Sequence, residues 1–396
     1  MVDLYIFHYA LNCLYLKGEK AIFLEDAVRT FDDTQRILFN DFFENFWRHK
    51  MRITSPSFIT PANQDEMARQ LRAKGDNILK PFSLPGNYES IESLLNMFSA
   101  KLYGSNDDSR QVFETIKSFK SKVKAYELWR DVNPAFLFED TKVVELKGLE
   151  TAIRKLLRNG RVVVKGEYGQ MGMHSQIITN SRDVEGFLDR CSSKSFVATQ
   201  EVNKQGLFIV EPFFDHTLAP SVCFYLTDDN IFLKYRHDRN VDNLEYVESS
   251  SPSESPNIEK ISKFSFRYAK ILQNMGYRGP VDFEFMENSE GQIKFCEINA
   301  RYPISYYQSE FPIEGKPYRL KKFRLRKPNI SFKLLDNLIG DYWFDPDKKI
   351  GVIPLNIPYF VEPQQRFALL FVGGNKTQID EMYKAASVLK SSKQED

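Results

Sequence analysis

The chain has 396 residues, 42% hydrophobic and 27% charged, with a net charge of +1. This length supports two or three domains with sizeable cores, and the near-neutral balance argues against a chain that coats nucleic acid or acidic lipid. No stretch reaches the roughly 20 apolar residues of a membrane span, the first residues lack the marks of a secretory leader, and Cys13, Cys191, Cys223 and Cys296 stand without metal-ligand spacing, so a soluble, cytoplasmic protein is expected, with no nucleic-acid or membrane partner.

Residues 1–118 alternate strand and helix signals. Residues 21–27 (AIFLEDA) read as a strand, 33–50 as an amphipathic helix, 51–59 as a second strand, 64–73 as a second helix and 91–103 as a third. The rhythm predicts a small α/β domain. No glycine-rich phosphate fingerprint follows any of these strands, which argues against a dinucleotide site. Residues 109–120 and 122–131 then read as consecutive helices that end near Pro134.

Residues 161–178, RVVVKGEYGQMGMHSQII, join a buried strand signal at 162–164 to a second strand at 175–178. Lys165 stands at the end of the first strand, and Gly166, Gly169 and Gly172 follow. Glycines let a loop bring its backbone N–H groups against phosphate oxygens, and the lysine supplies a cation for the α/β-phosphates. It is not a P-loop, because the Gly-Lys-Ser/Thr ending and the following helix are absent. Residues 208–227 give two further strands, and 231–239 (IFLKYRHDR) a basic one. Arg236 and Arg239 are candidates to neutralise a transferring phosphate or a substrate carboxylate, and His237 reads as a structural residue before a general base. A surface loop is expected at 249–255, with Ser255 capping the next helix, Pro256 at its first position and Gly276 ending it.

The stretch richest in chemistry runs from Gly276 to Pro303, GYRGPVDFEFMENSEGQIKFCEINARYP. It reads as strands at 281–286 and 292–298 joined by a tight turn at 288–291. Alternation puts Asp282 and Glu284 on one face of the first strand and Glu297, Asn299 and Arg301 on one face of the second, with Phe283, Phe285, Ile298 and Ala300 buried opposite. Like charges gathered this way need a positive partner. Mg²⁺ suits carboxylate and amide oxygens and shares its shell with nucleotide phosphates; Arg301 would then meet a phosphate. Shared facing alone leaves Asp282 and Glu284 equal as the first acidic ligand.

This segment closely resembles the metal-binding hairpin of ATP-grasp ligases, an acidic strand followed by a Glu-x-Asn-x-Arg strand, and the loop at 165–172 resembles their glycine-rich lid. The resemblance covers roughly residues 120–305. It implies an ATP-grasp fold, α/β and α+β, preceded by a small α/β domain: 1–118 the preceding domain, 119–330 the ATP-grasp domain, 331–396 a small C-terminal appendage. It implies Glu284, Glu297 and Asn299 as Mg²⁺ ligands, with Mn²⁺ as the substitute, since the spacing of Glu284 from Gly279 and Glu297 suits the family better than that of Asp282. Lys122, with Lys124 as the near alternative, and Lys165 with Gly166, Gly169 and Gly172 would hold the phosphates of ATP, and Glu211 with the backbone of Phe213 and Phe214 the adenine edge. Leu218 and Ala219 stand where the family has its ribose-binding acid, leaving Asp215 or His216 as substitutes. Arg301, Arg236 and Arg239 would act on the reacting groups. The activity implied is ATP-dependent joining of a small carboxylate to an amine, amino-acid or peptide-like substrates included, through an acyl phosphate; a homodimer is left open. A biotin-carboxylase-like enzyme, suggested by GYRGP and GQMGM, and a non-catalytic ATP-binding regulator are the alternatives.

After the hairpin, the basic run at 315–327 reads as a solvated loop, 331–338 and 378–389 as helices, and 350–359 and 366–372 as strands.

Overall fold

A computed structural model describes residues 3–6, 20–23, 57–59, 64–74, 77–80, 92, 95–96, 100–102, 109–168, 175–191, 206–242, 244–301, 316–324, 332–355 and 366–389. Contacts divide the chain into one unit of Arg110–Val247 and Ser253–Arg301 and another of Met1–Ser109, Glu248–Pro252 and Tyr302–Asp396.

The described N-terminal residues form a parallel sheet of β1 (Asp3–Ile6), β2 (Lys20–Phe23), β3 (Ser57–Ile59), β4 (Asn77–Lys80) and β5 (Ala100–Leu102), in the order β3-β2-β1-β4-β5. Parallel neighbours require crossovers; helix α1 (Gln64–Lys74) lies in the one between β3 and β4 and buries Ala68 and Leu71. The helix expected at 33–50 lies outside the described residues. The one expected at 91–103 is corrected at its end: Ala100–Leu102 pairs with β4, a strand too short to show a period of two.

The middle unit opens with α2 (Ser109–Lys120) and α3 (Lys122–Val132), separated by Ser121, whose hydroxyl accepts from the Lys124 N–H and caps α3. Strand β6 (Lys142–Glu145), helix α4 (Leu146–Leu157), strands β7 (Val162–Gly166) and β8 (Ser175–Ile178), helix α5 (Ser181–Cys191) and strand β9 (Leu207–Pro212) form a layer. Its antiparallel sheet runs β6-β9-β7-β8. Alternation sends Val162, Val164, Phe208 and Val210 into a core with Leu149, Ile153 and Phe187 from the two helices. Val163, Lys165, Ile209 and Glu211 therefore share the opposite face.

A second antiparallel layer in this unit orders its strands β14-β13-β10-β11: β10 (Pro220–Leu226), β11 (Ile231–Asp242), β13 (Gly279–Glu287) and β14 (Ile293–Asn299). Between β11 and β13 come β12 (Glu245–Ser251) and α6 (Ile258–Asn274). Val222, Phe283, Phe285 and Ile298 pack on one side, against an aromatic cluster in which Trp129 of α3 stacks on Phe295 at 4.4 Å and on Tyr268 of α6 at 5.0 Å. The turn between β13 and β14 closes through Gly291, at φ +76°, whose N–H donates to the Asn288 carbonyl at 3.0 Å. Two expectations near α6 are corrected. Residues 249–251 close β12 rather than open a loop, and the cap of α6 is Asn257, with Ile258 first in the helix. Ser255 is instead buried, donating its hydroxyl to Glu287. Gly276, at φ +88°, does follow the end of the helix.

In the other unit, Glu248–Ser251 of β12 pairs with β15 (Tyr318–Arg324), followed in the sheet by β17 (Arg366–Val372) and β16 (Gly351–Pro354). Helices α7 (Phe332–Ile339) and α8 (Lys376–Ala386) complete the described residues there. The basic run expected as a loop thus contains a strand. Its buried Tyr318 and Leu320 alternate with Arg319 and Lys321, which both pair with the buried Glu248. Gly351 sits at φ +133°, where an added Cβ would lie 2.5 Å from the Phe344 Cα, so no other residue fits. Among the described residues no helix is long and apolar enough to cross a membrane.

Candidate functional site

Side chains directly opposite in antiparallel strands share a face. The registers Glu284↔Glu297, Ser221↔Glu284 and Ser221↔His237 make one polar row, and Asp282↔Asn299, Cys223↔Asp282 and Cys223↔Tyr235 make the next. This is the side of the β14-β13-β10-β11 layer opposite the Trp129 cluster. A bulge after Glu284 leaves Cys296 without a register partner, so it stands beside Glu297.

The carboxylates are held by cations and amides. Arg239, with 10% of its side chain exposed, ion-pairs with Glu284. Asn299 donates Nδ2 to Glu284 Oε1 at 2.8 Å, and Arg301 donates to Asn299 Oδ1 at 2.7 Å. Asp282 is 1% exposed and accepts from the Ser221 hydroxyl. Lys122 Nζ, at the start of α3, lies 3.7 Å from Glu297. Lys165, at the end of β7, ion-pairs with Glu211, its diagonal neighbour across β9. Burial pushes the Glu284 carboxyl up to about 7, with Arg239 pulling it down and Glu297 and Asp282 pushing it further up. Burial works against the charge of Lys165, but Glu211, Cys296 and Glu297 more than restore it, and its pKa rises. Arg239 is likewise kept cationic, burial being outweighed chiefly by Glu284.

The structure thus brings Lys122, Lys165, Glu211, Arg239, Glu284, Glu297, Asn299 and Arg301 into one connected set of charges. Gly166 closes β7 opposite Phe208, while Gly169 and Gly172 lie outside the described residues. Among the described residues no group of three or more His, Cys, Asp or Glu side chains is assembled as a metal cage. Mg²⁺ seldom uses one: it takes one or two carboxylates and completes its shell with phosphates and water. Glu284 and Glu297, opposite one another with the Asn299 amide on Glu284, fit that pattern, and a carboxyl pushed toward neutrality by burial and then by like charges is where a cation is most stabilising.

Arg236 is not part of the set. It shares its row with Val222 and Phe283, on the side covered by α6, and ion-pairs there with Glu259. At the turn after β9, the Phe213 N–H donates to the Arg161 carbonyl at 2.8 Å. The Phe214 N–H has no backbone partner among the described residues. Asp215 is occupied by Arg161, at 2.6 and 2.8 Å, and His216 Nδ1 lies 3.2 Å from the Phe214 carbonyl. A cavity of about 430 Å³ beside the hinge is lined by Arg161, Phe213 and Asp215 but by neither Lys165 nor Glu211, so it is separate from the charged set. His237 is fully buried, stacked on Tyr235 at 4.8 Å, and pushed down to about 3 by burial and by Arg239, which leaves it neutral near pH 7. Sequence reasoning missed Ser221, Cys296, Ser121 and Glu167. Of these only Ser121 carried a signal, a serine directly before an apolar helical repeat.

No family model matches the sequence, and no curated protein gives a significant match. Solved structures do match. N5-carboxyaminoimidazole ribonucleotide synthetase from Thermus thermophilus is similar at 12% identity and a TM-score of 0.62, with 100% of each chain covered. A biotin carboxylase complex with β-γ-ATP from Campylobacter jejuni gives 14% and 0.64, covering 98% of this chain and 91% of that one. The biotin carboxylase domain dimer of Hydrogenobacter thermophilus 2-oxoglutarate carboxylase, solved with MgADP, ADP and bicarbonate, gives 13% and 0.61, covering 98% and 90%. At such identities the likeness establishes the fold: an ATP-grasp architecture preceded by an α/β domain, as the two sequence motifs implied.

Proposed function

We propose that this chain is an ADP-forming, ATP-dependent ligase that activates a small carboxylate as an acyl phosphate and transfers the acyl group to an amine. The observation that carries this is the convergence of Lys122, Arg239 and Arg301 on the Glu284–Glu297–Asn299 cluster, together with the Lys165–Glu211 pair, in an ATP-grasp fold. Lys122 and Lys165 bind the phosphates of ATP, and Glu211 and the Phe214 N–H hold the adenine edge. Glu284, Glu297 and Asn299 hold Mg²⁺, which when bound offsets charge on the terminal phosphates. Arg239 and Arg301 lie at that end of the cluster and stabilise charge on the phosphoryl group as a carboxylate oxygen attacks the γ-phosphorus. His237, neutral and buried, is not assigned the proton transfer.

A second reading has bicarbonate as the carboxylate, since the solved carboxylase domain that this chain resembles holds bicarbonate; that structure being a dimer also makes a homodimer the assembly to test. Both readings are tested by one screen: ATP with amino acids, small peptides or bicarbonate plus amines, reading ADP and phosphate. Phosphate release dependent on an organic carboxylate supports the ligase, release dependent on bicarbonate the carboxylase. AMP and pyrophosphate would exclude both.

A further inference from the structure

The start of α3 and the end of β7 meet at one residue, Glu167. Its side chain is buried, and Oε1 accepts from the Ser121 hydroxyl at 2.7 Å. Its carbonyl accepts from the Lys122 N–H at 2.9 Å, and its N–H donates to the Leu207 carbonyl of β9 at 3.0 Å. Ser121, fully buried, is also the cap of α3. Glu167 therefore holds the backbone of Lys122 directly and stands two residues beyond Lys165 on the same chain. Its Oε2 is buried with no hydrogen bond among the described residues, and a carboxylate kept that way is costly. An apolar pair would tie the two elements more cheaply. What the acid does provide is direction: its side chain fixes the cap residue Ser121, next to the first helical N–H that the main-chain carbonyl of the same residue holds. Lys122 Nζ lies 3.7 Å from Glu297, and Lys165, ion-paired with Glu211, is also held charged by Glu297.

We propose that Glu167 is a positioning residue that sets Lys122 against Lys165 so that both meet one triphosphate. The proposal rests on the nucleotide reading above. It is tested on the full chain by calorimetry with two probes, the non-hydrolysable ATP analogue AMP-PNP with Mg²⁺, and adenosine, which has no phosphate. Glu167→Leu keeps the volume and the main-chain carbonyl but removes the side-chain acceptor of Ser121; it should weaken AMP-PNP about tenfold, the scale of a charged hydrogen bond, and leave adenosine unchanged. Glu167→Gln, which keeps an acceptor for Ser121, should restore most of the affinity. In a Lys122→Ala background Glu167→Leu should add little, because it acts through that lysine. Should Glu167→Leu not fold, Glu167→Asp, which draws the carboxylate away from Ser121, carries the same comparison. Unchanged AMP-PNP affinity in the Glu167 variants while Lys122→Ala and Lys165→Ala both weaken it overturns this proposal alone. So does an equal loss for adenosine, or full additivity with Lys122→Ala. If the two lysine variants also bind AMP-PNP normally, the nucleotide reading falls and this proposal with it.

Discussion

Glu284 and Asp282 stand on the same strand face, yet their surroundings differ. Asp282 is 1% exposed and taken by the Ser221 hydroxyl, whereas Glu284 sits opposite Glu297 among Arg239 and Asn299. Glu284→Gln should therefore cost more turnover than Asp282→Asn, and Glu297→Gln should abolish turnover with the fold intact, because its neighbours Ile298 and Ala300 keep their burial. Normal activity of Glu297→Gln at limiting Mg²⁺ would remove the metal assignment. Lys165→Ala should weaken ATP by about 10- to 150-fold, the worth of a charged hydrogen bond in a partly desolvated site, and calorimetry reads it directly. His237 supplies a pH dependence. Its folded pKa lies at about 3, below the unfolded value of about 6.5. The unfolded chain thus takes up a proton that the folded chain refuses, and stability falls as pH drops below 6.5, by about 1.4 kcal/mol per unit. His237→Phe should keep the stack on Tyr235 and flatten urea stability between pH 6.5 and 5 by about 2 kcal/mol; an unchanged slope would count against a buried neutral imidazole.

At the scale of elements, the polar row was legible because strand alternation is local, and Glu297, Asn299 and Arg301 need only a period of two to share a face. The same rule, applied to 231–239, separates Arg236 from Arg239, since residues three apart on a strand point to opposite sides; the structure sends the first to Glu259 and the second to Glu284. What alternation cannot reveal is the bulge beside Cys296 or the pairing of Ala100–Leu102, which are set by a partner strand distant in sequence. The basic run at 315–327 misled for another reason. Its charges are matched by Glu248, far upstream, so a strand looked like a solvated loop. Helix α3 is where packing and site are joined: Trp129 anchors the helix whose first residue is Lys122. Trp129→Ala should cost about 3–5 kcal/mol in urea unfolding, and a loss below 1 kcal/mol would mean that the aromatic cluster does not hold α3.

At the scale of the molecule, two sequence motifs pointed to an ATP-grasp fold that no sequence comparison matches and that solved structures at 12–14% identity do. The fold survives such divergence because it asks for apolar alternation and a few glycines, whereas the site asks for particular charges at particular registers. The acceptor side carries no such motif, so the substrates were not legible.

The proposed reaction turns on attack by a substrate carboxylate on the γ-phosphorus. With a productive substrate whose carboxylate carries ¹⁸O, one label should appear in the released phosphate, accompanied by ADP. Unlabelled phosphate from a labelled carboxylate, or AMP in place of ADP, would contradict the acyl-phosphate mechanism.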